Sequence, residues 1–194
     1  MEKAPVALQP ALITLARLKY LIGEQLVTVG PVAPDLIASL SSVAVAQSVM
    51  GQARFLYNWQ AGESRAADEE LAEASTWALE TELLSFQAWP TWVHLITVMW
   101  MVDQAILVVL AEWIHEDPTL DGQLKKLRQE LRQTLVFTSE WVGVFLNETP
   151  PIRDLVRELA RHLAERLAPL IGSWAPSALP AFHRLWMKQM EGVA

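Results

Sequence analysis

Apolar residues return every three or four positions along most of this chain and nowhere alternate with a period of two, so the pattern predicts helices and no strands. Gly and Pro signals divide it into six segments. Helix A runs from about Leu8 to Thr28 and stops before Gly30-Pro31. Pro34-Asp35 supplies an extended residue and a side-chain cap for helix B, which continues to about Gln60, with Gly62 as its C-terminal stop. The Ala- and Glu-rich stretch at residues 63–87 reads as a more exposed helix or a partly helical crossover. Pro90 occupies the first turn of helix C, which lasts to His115; Asp117-Pro118 closes it and caps helix D, running to about Leu146. Thr149-Pro150-Pro151 opens helix E, ending near Gly172, and Pro176 and Pro180 precede a short last helix, AFHRLWMKQM. The expectation is an all-α protein: one ferritin-like domain over residues 1–194, with a four-helix bundle at about 8–147 and accessory helices at about 150–191.

Helix C carries the clearest inner stripe: Trp92, Ile96, Met99, Asp103, Ile106, Leu110 and Trp113, at steps of three and four. All but Asp103 are apolar. A carboxylate there must find a partner, take up a proton or bind a metal, because an isolated buried charge is very costly. Helix D shows a comparable stripe in Leu124, Leu127, Leu131, Thr134, Thr138, Trp141 and Phe145, with no charge in it.

Composition narrows the reading. A chain of 194 residues, 52% hydrophobic and with only 8 Gly, can bury a large core of packed helices. Its formal charge of -7, with no Lys or Arg cluster interleaved with aromatics, argues against a nucleic-acid partner. The absence of Cys excludes disulfides and a thiolate nucleophile, and MEKAPVALQP lacks the basic-then-apolar layout of a signal peptide, so a cytoplasmic location is expected. Residues 92–114 are long enough to cross a bilayer. Asp103 would then sit near its centre at a cost of about 2.5 to 3.5 kcal/mol, so a buried core helix is expected instead, with no membrane partner.

Four segments carry a family resemblance: LKYLIGEQL in helix A, VAPDLIASLSSVAVAQSVMGQARFLY in helix B, WPTWVHLITVMWMVDQAILVVL in helix C and KKLRQELRQTLVFTSEWV in helix D. Over roughly residues 18–142 the chain resembles the ferritin-like oxygenase subunits of bacterial phenylacetate degradation, the phenylacetyl-CoA epoxidase family. A ferritin-like di-iron site takes one carboxylate from each of two helices and a Glu-x-x-His pair from each of the others, the i, i+3 spacing aiming both ligands inward. The resemblance implies such pairs at Val49 to Gln52 and at Leu131 to Thr134. Neither is present, and of the six ligand positions only Glu24 and Asp103 keep a carboxylate. The family's non-catalytic structural subunit has a helix B motif like the GQAR found here, so the chain looks closer to that subunit. Val and Leu cannot bind a metal and Gln and Thr are weak neutral ligands, so no metal or other cofactor is expected, di-iron being the alternative. The Gln52 amide is expected to hydrogen-bond one of the two remaining acids, which otherwise have Gln47, Tyr20 and Arg54 as candidate neighbours.

Other candidates have plainer readings. Glu112 to His115 is a true Glu-x-x-His, but it lies in the last turn of helix C with no second copy, where a His favours the helix dipole. His94, His162 and His183 are scattered. No GxSxG elbow or phosphate-binding glycine loop is present, and Gly51 within helix B is expected to allow close approach of a neighbouring helix. Of 9 Trp, Trp92, Trp113 and Trp141 fall on inward stripes; Trp174, Trp186, Phe182, Leu185, Met187 and Met190 could cover the bundle or dock a partner.

Three functions follow. The first is a non-catalytic protein acting by association, either with a di-iron oxygenase subunit or with itself, through helices A and B and the C-terminal aromatic segment. The second is a divergent metal-binding or oxygenase-type enzyme using Glu24 and Asp103 with borrowed ligands such as Glu80, Glu82 or His94. The third is a binding protein for an acyl-CoA-like or apolar ligand held between helices.

Overall fold

The computed structural model describes residues 3–62, 78–84 and 91–191. The protein is all-α: the described residues form seven α-helices, three short 3-10 turns and no strand. The helices are α1 (Gln9–Val29), α2 (Leu36–Ala61), α3 (Ala78–Leu84), α4 (Trp92–Glu116), α5 (Leu120–Asn147), α6 (Pro150–Trp174) and α7 (Leu179–Glu191). Two compact units divide the chain, Met1–Leu95 and Ile96–Ala194. Most of the crossover at 63–87, and Pro90 with it, lies outside the described residues.

In the first unit, α1 and α2 form an antiparallel hairpin. A 3-10 turn at Gly30–Val32 extends α1 past its expected stop, and Asp35 Oδ1 then accepts from Ala38 N at 2.7 Å to cap α2. At the far end Gly62 takes the left-handed conformation, φ 78°, that ends a helix without a Cβ penalty. Two glycines set how closely the helices approach. Gly23 lies against Met50, and Gly30 lies so close to Ser42 that a Cβ would collide with its hydroxyl. Gly51, expected to serve this purpose, does not: a Cβ there would meet nothing within 4 Å. The inner stripe of α1 is Leu12, Leu15, Lys19, Ile22 and Leu26, all buried.

In the second unit, α5 and α6 are amphipathic and place their leucine stripes inward, each large side chain contributing roughly 1.5–3 kcal/mol by leaving water. The Trp113 indole on α4 donates to the Trp174 carbonyl at the end of α6, at 3.1 Å. Helix α6 passes through Pro169 and ends two residues beyond the expected Gly172. Helix α7 starts with Pro180 in its first turn, buries Phe182 completely and is tied to α5 by Gln189 Nε2 donating to the Ser139 carbonyl at 3.3 Å.

Helix α4 is strongly apolar, with mean hydropathy 2.0 over its best window, of which 89% is buried. By length and composition alone, Val6–Val32 and Leu36–Ala61 could also cross a membrane.

Candidate functional site

The stripe on α4 holds as expected: Trp92, Ile96, Met99, Asp103, Ile106, Leu110 and Trp113 are all buried. Asp103, fully enclosed, finds its partner on α5. Thr134 Oγ1 donates to Asp103 Oδ2 at 2.6 Å and also lies 3.0 Å from the Leu131 carbonyl. One hydroxyl proton serves both acceptors unequally, and the Asp103 oxygen takes the shorter contact. One turn further along α5, the fully buried Thr138 returns its hydroxyl to the carbonyls of Thr134 and Leu135 at 3.1 and 3.2 Å. Buried hydroxyls can afford no unmade bond, and short back-bonds to the preceding turn satisfy them locally. Three ligand positions implied by the resemblance, Asp103, Leu131 and Thr134, thus lie together in the second unit.

The other three lie in the first unit. Val49 and Gln52 are fully buried on the inner face of α2, and Glu24 is half-buried on α1. Gln52 does not make the bond expected of it. Its Nε2 donates to Ser48 Oγ at 3.4 Å, while its Oε1 is buried without a partner. The physical reason is proximity: a side chain four residues back on the same helix is already within reach and needs no acid to come to it.

Candidate ligands of the metal reading are otherwise engaged. Glu80 is buried and pairs with Arg17 at 3.4 Å; Glu82 is exposed. The buried His94 ring donates through Nε2 to the Leu84 carbonyl at 3.0 Å, and its amide is capped by Thr91 Oγ1 at 3.2 Å. Loss of solvent lowers the His94 pKa below its ordinary value, outweighing the opposite effect of the carbonyl. Glu112 is half-buried and His115 exposed near the end of α4. Among the described residues, no group of three or more His, Asp or Glu is placed to hold a metal ion.

Lys19 is the functional-type residue that sequence reasoning missed. It is a fully buried lysine in the middle of the α1 stripe. Its signal was the same as that of Asp103, a charge at a three-and-four step between leucines, but it was hidden within the LKYLIGEQL motif. In the second unit, an open cleft of about 430 Å³ lies between α4, α5 and α7, with Trp100, Gln104, Leu135, Leu185 and Lys188 on its walls. The C-terminal aromatic segment is accordingly split in role: Phe182 is core, while Leu185 and Met187 stay exposed.

No family model matches the chain, and neither does any curated protein. The class that the fold itself defines is all-α.

Proposed function

We propose that this chain is a non-catalytic, ferritin-like helical protein that works by protein association in the cytoplasm, related in character to the structural subunit of phenylacetyl-CoA epoxidase and stripped of its di-iron ligands. The observation that carries this reading is the bond from Thr134 to Asp103. In a ferritin-like metal site the position of Thr134 would hold an imidazole, and Asp103 would reach for the same ion. Here a hydroxyl fills that role and donates to the carboxylate directly. A 2.6 Å hydrogen bond occupies the acid with a hydroxyl instead of a cation. Val49 in the first unit and Leu131 in the second are buried side chains with no lone pair to offer. With the interior an ordinary core, the outer faces are left to do the work, through an oxygenase subunit or a second copy as partner.

Metal analysis tests this. Protein produced with iron and manganese in excess and dialysed against a chelator is expected to hold far less than one metal ion per chain. Near-stoichiometric iron or manganese on the same sample overturns the reading in favour of a divergent metalloenzyme. The open cleft in the second unit favours one other reading, a binding protein for a small apolar or acyl-type ligand, since a volume of about 430 Å³ lies within the range of ligand sites.

A further inference from the structure

Helix α2 turns an apolar face to solvent. Leu36 is 72% exposed, Ile37 77%, Leu40 65% and Val43 57%. Ala44, Gln47, Gly51 and Arg54 continue the same exposed face towards the C-terminal end of the helix. Leu36, Leu40, Val43, Gln47 and Arg54 follow at steps of three, four and seven, with Ile37, Ala44 and Gly51 beside them at steps of seven. The face is therefore one continuous seam with two unlike halves, bulky and branched before Ala44, small or polar after it.

We propose that a second copy of this chain docks on this seam, α2 against α2, antiparallel about a two-fold axis near Ala44. Three features select that occupant and that direction. An antiparallel pair lays the bulky half of each copy over the small half of the other, so Ile37 and Leu40 meet the notch at Gly51, where there is open space for them. A parallel pair would crowd bulky on bulky and leave a gap at the glycines. Charge points the same way: the exposed Asp35 begins the seam and the exposed Arg54 ends it, roughly 28 Å apart. Reversal brings the acid of one copy to the base of the other at both ends, whereas parallel alignment sets like against like. Finally, the four large side chains expose roughly 450–500 Å² per copy, which a two-fold doubles to about 1,000 Å², the lower edge of a specific interface. This deepens the association reading above and rests on it, naming the partner as the chain itself.

The chain has no Cys, so single cysteines placed on α2 report the arrangement cleanly. In the full-length protein Ala44→Cys is expected to give a disulfide-linked dimer on mild oxidation. Ile37→Cys is expected not to link to itself, because its two copies lie about 21 Å apart along an antiparallel pair, beyond disulfide reach. Mixed Ile37→Cys and Gly51→Cys chains are expected to link to each other. Native mass of the unmodified protein is expected at twice the 21.7 kDa of one chain, and Leu40→Glu is expected to return it to the single-chain mass with helical circular dichroism unchanged. Self-linking of Ile37→Cys, or a single-chain mass at about 50 μM, overturns the proposal. So does a monomer that sediments with vesicles of phosphatidylcholine and phosphatidylglycerol, which would make the seam a membrane face. Metal content on the same samples separates the two readings: a linked dimer carrying stoichiometric iron upholds this inference and removes the one above, and a metal-free monomer does the reverse.

Discussion

Thr134 and Asp103 meet with both side chains out of water, and neither has solvent to fall back on. Thr134→Val keeps the shape and deletes the donor, so it is expected to cost about 1–3 kcal/mol in denaturant unfolding, with Thr134→Ser losing distinctly less. His94 sets a pH dependence of known sign. Its folded-state pKa lies below the unfolded 6.5, so the unfolded chain binds more protons in the window beneath that value. Stability is therefore expected to fall as pH drops below about 6.5 towards the lowered value, and His94→Gln is expected to flatten that part of the melting-temperature profile. At this scale the sequence was legible where a charge broke an apolar period. Asp103 stood out on those grounds, and Lys19 would have done so on the same test. The choice of partner was not legible: nothing in the spacing of Gln52 says that its amide nitrogen settles on Ser48.

At the scale of elements, the α1–α2 hairpin depends on how near two backbones can come. A methyl group added at Gly30 meets the Ser42 hydroxyl and Cβ, which sit on a packed helix, whereas one added at Gly23 meets the flexible end of Met50. Gly30→Ala is expected to destabilise the protein by about 1–3 kcal/mol in thermal or denaturant unfolding, and Gly23→Ala by clearly less. Helix limits fixed by local chemistry were readable in advance: Asp35 as a cap, Gly62 as a left-handed stop, Pro150 opening α6. Limits set by packing were not. Helix α6 runs through Pro169 to Trp174, where the Trp174 carbonyl receives the Trp113 indole, a bond between residues 61 apart that no local pattern records. Gly51 failed for the related reason that a glycine shows where a neighbour can come close, not whether this chain supplies one.

Over the whole molecule, helix content and the inward stripes followed from periodicity, because 3.6-residue spacing and burial are two views of one constraint. The candidate site was only half readable. Its residues were reached through the resemblance, and the meeting of Asp103 with Thr134 is a long-range fact that spacing along one helix cannot contain. Helix α4 carries one more consequence, for the chain as it is made. It leaves the ribosome strongly apolar, and the helices that shelter Asp103, Trp113 and Trp100 from water follow it in the sequence. At about 5–20 residues per second, several seconds pass before α5, α6 and α7 have emerged. For that interval the newborn polypeptide exposes an uncovered apolar helix with the length and composition of a membrane span.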